Sequence, residues 1–143
     1  MRNLLPPIRH KTQGHQRALR TWMCILCHHE HNKKTKFCKA CGGKKLLYFM
    51  SKVEKNYYYE LWRRKELGLI TNLRTSVPFK IEYEGQLITK YVADFVYDDL
   101  VTKQTIVVDV KGHIKNVDPV FKLKRKLVKA FHGVDIQSMY GGT

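Results

Sequence analysis

The chain has 143 residues, a formal net charge of +15 and a hydrophobic fraction of 43%. That is room for one domain plus a small module, with enough apolar material for a packed core, which argues against wholesale disorder. No apolar run approaches the roughly 18–20 residues that cross a bilayer, and Pro6, Pro7 and Arg9 interrupt any secretory signal, so no membrane association and a cytoplasmic location are expected. The charge is lopsided. Residues 1–45 hold eleven Lys/Arg and one acid, Glu30; residues 46–143 hold sixteen Lys/Arg and eleven acids. Solubility alone does not require that distribution. A polyanionic partner does, with nucleic acid ahead of an anionic membrane surface or an acidic protein.

Three parts are expected: a basic arm over residues 1–20, a cysteine module over 21–46, and an α/β domain over 47–143. The module reads Cys24-x2-Cys27-x10-Cys38-x2-Cys41. Two such pairs bring four thiolates around one tetrahedral zinc, a closed and therefore structural site. Gly42-Gly43 permits the turn after the second pair. Zinc also supplies folding free energy that about 26 residues cannot find by burial. His28, His29 and His31 stand close enough in sequence to replace a cysteine. Trp22 and Phe37 are expected to pack the module's small core, with base stacking as their alternative. Lys33, Lys34 and Lys36 are candidate nucleic-acid contacts.

In the α/β domain, Ser51 and Glu54 have capping-box spacing at the start of a helix, and Val53, Tyr57, Leu61 and Trp62 make its apolar stripe. Gly68 is its stop. Strands are expected over Val77–Tyr83, Ile88–Tyr97 and Thr105–Lys111, separated by turns at Glu84-Gly85 and Asp98-Asp99. Asp118-Pro119 opens a second helix that Gly133 ends, with Phe121, Leu127, Val128 and Phe131 as apolar positions. A last strand over Val134–Tyr140 completes the order α-β-β-β-α-β, a mixed sheet flanked by helices.

Two acids lie in or beside apolar strand runs, Asp94 and Asp109. Carboxylates are disfavoured there unless paired or binding a cation. Asp109 and Lys111 share a strand face. With Asp94 and the Val110 carbonyl, they would make an oxygen-rich site suited to Mg2+ or Mn2+ and to metal-assisted phosphodiester hydrolysis. An Asp–Lys ion pair without catalysis fits the spacing equally well.

The segments Ser51-Lys-Val-Glu54, Tyr91-Val-Ala-Asp-Phe95, Val108-Asp-Val-Lys-Gly112 and Val120-Phe-Lys-Leu-Lys-Arg-Lys-Leu127 together resemble the PD-(D/E)xK nuclease superfamily. More closely, they look like a phage-encoded family of Holliday-junction-resolvase-like endonucleases. The resemblance covers about residues 50–140 and leaves out the cysteine module. It implies a restriction-endonuclease-like core and DNA cleavage with Mg2+ or Mn2+. It assigns Glu54, Asp94 and Asp109 to the metal and Lys111 to orienting water or stabilising charge. Residue 93 is Ala where the family commonly has Pro, and residue 109 is Asp where Glu is commoner. Glu54 is also accounted for as a capping residue, with Glu60 as the fallback carboxylate. Glu82 and Glu84 are expected to be exposed hairpin charges. His113, after the acidic strand, and Lys122, Lys124, Arg125 and Lys126 on the second helix are candidate DNA contacts.

The leading expectation is therefore a DNA endonuclease with an N-terminal zinc ribbon, acting on branched DNA as a two-fold dimer. A nicking enzyme for duplex or flap DNA and a non-catalytic nucleic-acid-binding adaptor are the alternatives.

Overall fold

The computed structural model describes residues 20–112 and 117–141. A three-stranded antiparallel sheet comes first, built from β1 (Thr21–Cys24), β2 (Glu30–His31) and β3 (Leu46–Phe49) in the order β2-β1-β3. Helix α1 (Lys52–Glu66) leads to a second sheet of β4 (Ile70–Tyr83), β5 (Gln86–Asp99), β6 (Gln104–Lys111) and β7 (Ile136–Tyr140), in that spatial order. β4, β5 and β6 are antiparallel, while β7 lies parallel to β6. A parallel neighbour needs a crossover, and α2 (Pro119–His132) supplies it. The expected mixed α/β sheet with two helices is present, in the expected element order.

Local chemistry sets the helix ends. The Ser51 hydroxyl accepts from the Glu54 N–H at 3.1 Å, and Leu67 caps the other end of α1, with Gly68 following at φ 72°. Asp118 caps α2 through the Val120 N–H, with Pro119 at the first helical position. Gly133 closes α2 at φ 67°, a left-handed angle that costs an L side chain energy.

Strand β4 starts at Ile70, well before the expected Val77. Its first half is mostly polar, and Asn72 and Ser76 both take positive φ, 54° and 52°. Those residues bend the strand and hide its apolar alternation. β5 is likewise longer at both ends than expected, because it pairs with β4 along nearly its whole length.

The second sheet is buried on both faces. Tyr58 and Leu61 of α1 pack with Ile70, Phe95, Tyr97 and Val108 on one face. Phe121 and Val128 of α2 pack with Ile81, Tyr91, Ala93, Val96, Val107 and Ile136 on the other. Neighbours Val107 and Val108 thus serve opposite layers, as strand alternation requires. Met23 of β1 and Phe49 of β3 belong to the α1-side core, so the small sheet shares its interior with the large one. β3 also spans the 46/47 boundary expected between the two parts.

Candidate functional site

The four cysteine sulfurs of Cys24, Cys27, Cys38 and Cys41 all lie within 4.8 Å of one another and form a cluster that can hold a metal ion such as zinc. The Cys24–Cys41 and Cys27–Cys38 pairs stand 3.5 and 3.6 Å apart. A disulfide needs about 2.05 Å. A tetrahedron with zinc–sulfur bonds of about 2.3 Å has edges of roughly 3.8 Å, so the spacing is that of a thiolate cage. The N–H groups of Leu26, Ala40 and Gly43 each point at a cysteine sulfur, those of Cys24, Cys38 and Cys41 in turn, at 3.4 Å. Such donors favour the thiolate over the thiol.

The nearby histidines do not enter this cluster. His31 Nε2 approaches Cys38 Sγ at 3.4 Å and buttresses the cage from outside. His28 instead meets the Trp62 ring edge-on, with centroids 4.5 Å apart, so it docks the cysteine loop onto α1. Neither Trp22 nor Phe37 packs a core, contrary to expectation. Phe37 is exposed, and Trp22 is half-buried against Tyr48 on the outer face of the small sheet. The inward positions are taken by Met23 and Phe49 instead.

The acidic residues meet where β5 and β6 part. Their backbone ladder ends at the Phe95–Val108 pair, and one further step in that register would set Asp94 opposite Asp109. In place of a backbone bond, the Val110 N–H donates to Asp94 Oδ2 at 2.7 Å. Glu54 reaches the same region from the first turn of α1, its Oε2 accepting the Met50 N–H at 3.3 Å. Burial, then the Asp94 charge and that of Asp109, push the Glu54 carboxyl up to about 7, against the pull of the Met50 N–H. Burial chiefly, with Asp109 nearby, raises Asp94 to about 6, although the Val110 N–H and Lys111 act in the other direction.

Asp109 is buried and turned to the α2 side. The Tyr91 hydroxyl donates to its Oδ1 at 3.0 Å, and Lys111 Nζ stands 2.7 Å from its Oδ2. Among the described residues, Oδ2 nevertheless receives no well-aligned hydrogen bond. The Lys111 ammonium also lies over the Phe121 ring, 4.1 Å from its centroid, which fixes it by a cation–π contact. Glu54, Asp94 and Asp109 therefore feel one another's charge but do not form a ligating cluster. Among the described residues, only the four cysteines are gathered that closely. The Tyr91 and Lys111 contacts on the α2 side hold Asp109 apart from the α1 residues.

Two residues here were not anticipated. Tyr91 binds the buried carboxylate, and its phenol is pushed well above its ordinary range by burial and by Asp109. Ser138 on β7 pairs in register with Asp109, and its buried hydroxyl has no partner among the described residues. Tyr91 has a sequence signal, since it lies one strand period from Ala93 and starts the Tyr-Val-Ala-Asp-Phe run. Ser138 has none, because parallel register with β6 is a property of the fold.

The fallback Glu60 lines a cleft of about 280 Å3 with Asn56, Tyr57 and Val110, beside Tyr140 of β7. Glu82 and Glu84 are exposed at the β4–β5 turn, as expected. Lys122, Arg125 and Lys126 border one cleft with Lys129, whose ammonium pairs with Asp135 at 2.7 Å. Lys124 does not join them; its Nζ donates to the Lys90 carbonyl at 3.0 Å, because it lies on the helix side that faces β5. Lys33, Lys34 and Lys36 are exposed on the cysteine module. His113 and almost all of the 1–20 arm lie outside the described residues. No described helix is long and apolar enough to cross a membrane. Compared with protein-family models, with curated proteins and with solved structures, the chain matches none.

Proposed function

We propose that the chain is a divalent-metal-dependent DNA endonuclease with a restriction-endonuclease-like core and a structural zinc ribbon, acting on branched DNA. The observation that carries this reading is the fork between β5 and β6. There the β5–β6 ladder stops one step short of Asp94 and Asp109, Glu54 approaches Asp94 from α1, and Lys111 stands one strand period from Asp109 and pairs with it. Burial and mutual repulsion hold the Glu54 and Asp94 carboxyls at raised pKa values. A divalent cation relieves that repulsion, and an all-carboxylate donor set suits Mg2+ or Mn2+.

Glu54 and Asp94 would hold the cation with the Val110 carbonyl as a further oxygen, and Asp109 would join them on turning from Tyr91 toward the fork. A cation bound there would polarise the scissile phosphate and offset charge on the leaving oxygen. Lys111 would stabilise charge on a phosphate oxygen, and its place over the Phe121 ring keeps it beside the fork. Tyr91 would hold Asp109 in reserve on the α2 side until the cation draws it in. The Lys122–Arg125–Lys126 face and Lys33, Lys34 and Lys36 would take backbone phosphates, which carry affinity but no sequence information. Resolving a junction requires two nicks, which favours a homodimer with one fork per protomer.

A second reading rests on the same ion pair. If Lys111 neutralises Asp109 permanently, the fork is structural and the chain is a nucleic-acid-binding adaptor. A nicking assay on a labelled four-way junction and a matched linear duplex, with Mg2+ or Mn2+, separates the readings. Wild type is expected to cut the junction, and Asp109→Asn to lose at least about 100-fold in rate. Equal cutting of both substrates would leave a nicking nuclease without junction preference. Tight binding without cutting under either metal would leave the adaptor.

A further inference from the structure

The outer face of the small sheet carries apolar surface that no described residue covers. Along β1 and β3 the side chains alternate: Met23 and Phe49 turn inward to the shared core, while Trp22, Leu46 and Tyr48 turn outward. Trp22 and Tyr48 are directly opposed in the antiparallel register, and their rings stand 4.8 Å apart at 38°. Tyr48 remains 42% exposed. The two rings border a cleft of about 400 Å3 whose remaining lining is Lys34, Thr35, Lys36, Lys44 and Leu46. Three ammonium groups and two aromatic rings thus share one cleft, and no acid lines it.

We propose that this cleft is a stacking platform for unpaired bases of a nucleic-acid strand. A base offers a flat π-face to the rings, and the phosphates on either side of it offer charge to Lys34, Lys36 and Lys44. A paired duplex buries its π-faces within its own stack, so the platform selects unpaired nucleotides over duplex. An acidic peptide would satisfy the lysines but leave the rings without a flat partner. The inference rests on the nucleic-acid part of the proposed function and extends it: the strand held here is one that a branch or an open end has released.

The test uses full-length, zinc-loaded Asp109→Asn protein without added divalent metal, so that binding is read apart from cleavage. A short oligothymidine carrying 5-iodouracil is irradiated with the protein, and the cross-linked peptides are sequenced by mass spectrometry. Cross-links at Trp22 or Tyr48 are expected; cross-links confined to other residues overturn the proposal. In parallel, W22A/Y48A is expected to lose about 10-fold or more in affinity for the single strand and under about 2-fold for a matched duplex, while W22F/Y48F keeps single-strand binding. Equal losses on strand and duplex would reduce the face to a phosphate contact and sink the idea. Polyglutamate competing as well as the oligonucleotide would identify an acidic protein instead and also overturn it. If the alanine variant fails to hold zinc, the cross-link map on the parent protein decides. Cross-links at the platform in a protein that cuts no DNA would remove the nuclease reading alone.

Discussion

At the scale of single residues, the fork is a problem in charge. Glu54 has its pKa raised from an ordinary 4.5 to about 7, so the folded protein holds this proton more tightly than the unfolded chain does. The stability that the proton brings is complete below about pH 4.5 and is lost as pH climbs through about 7. Glu54→Gln removes that loss and keeps an oxygen for the Met50 N–H. The variant is expected to melt about 2–4 °C above wild type at pH 8, from about 1 kcal/mol after discounting for partial exposure, and to match it below pH 5. Thermal melts of the zinc-loaded protein across that range would show it. An equal advantage at both pH values would mean that packing, not charge, is responsible. The sequence made Asp94 and Asp109 legible because carboxylates in apolar runs are conspicuous. It did not disclose that Asp109 leans toward Tyr91 and away from Glu54, since that depends on which layer each strand residue faces.

At the scale of elements, both helices were legible from their ends. Ser51, Asp118, Gly68 and Gly133 act through local geometry, and local geometry is what sequence reports best. β4 was only half legible, because its polar first half is held by pairing with β5 and not by its own pattern. The cysteine spacing was legible outright, whereas the outward turn of Trp22 was not. The cage has little spare room. A Cβ added to Gly43 would stand 2.9 Å from Cys24 Sγ and 3.3 Å from Cys41 Sγ. Neither sulfur can retreat while both hold one metal. Gly43→Ala is therefore expected to weaken zinc affinity about 10- to 100-fold, measured by competition with a chelating dye. Unchanged affinity would mean that the Cys38–Gly43 turn can shift as a body. Gly42→Ala is a useful contrast, since its added Cβ meets nothing and only its φ of 76° is strained.

At the scale of the whole molecule, the cysteine module and the large sheet are joined by more than sequence. Met23 and Phe49 are buried with Tyr58, Leu61, Phe95 and Val108. His28 docks on Trp62, and Lys55 and Tyr59 of α1 bind the Glu30 carboxylate at 3.1 and 3.2 Å. Any free energy that a metal such as zinc contributes by binding the four cysteines would therefore also support α1 and β6. Removing zinc with a strong chelator is expected to lower the hydrogen-exchange protection of α1 and β6 amides together with those of β1 and β3. Loss confined to the small sheet would show two independent units. Composition made two parts legible and hid their common interior, because a single inward Met or Phe looks the same in sequence whichever sheet it serves.

The β6–β7 pairing also bears on how the chain is made. Asp109 and Lys111 lie on a strand whose parallel neighbour follows it only after α2, and Gly141 N–H bonds the Lys111 carbonyl at 2.9 Å. During synthesis β6 emerges from the ribosome with its β7 side bare, and the strand bearing the two charged residues waits as an open edge until the helix and β7 arrive. The four-cysteine cluster, by contrast, has all of its sulfurs available long before. The four sulfurs thus emerge before the α1, β5 and β6 residues that complete their sheet's core, and the acidic fork gains its β7 wall later still.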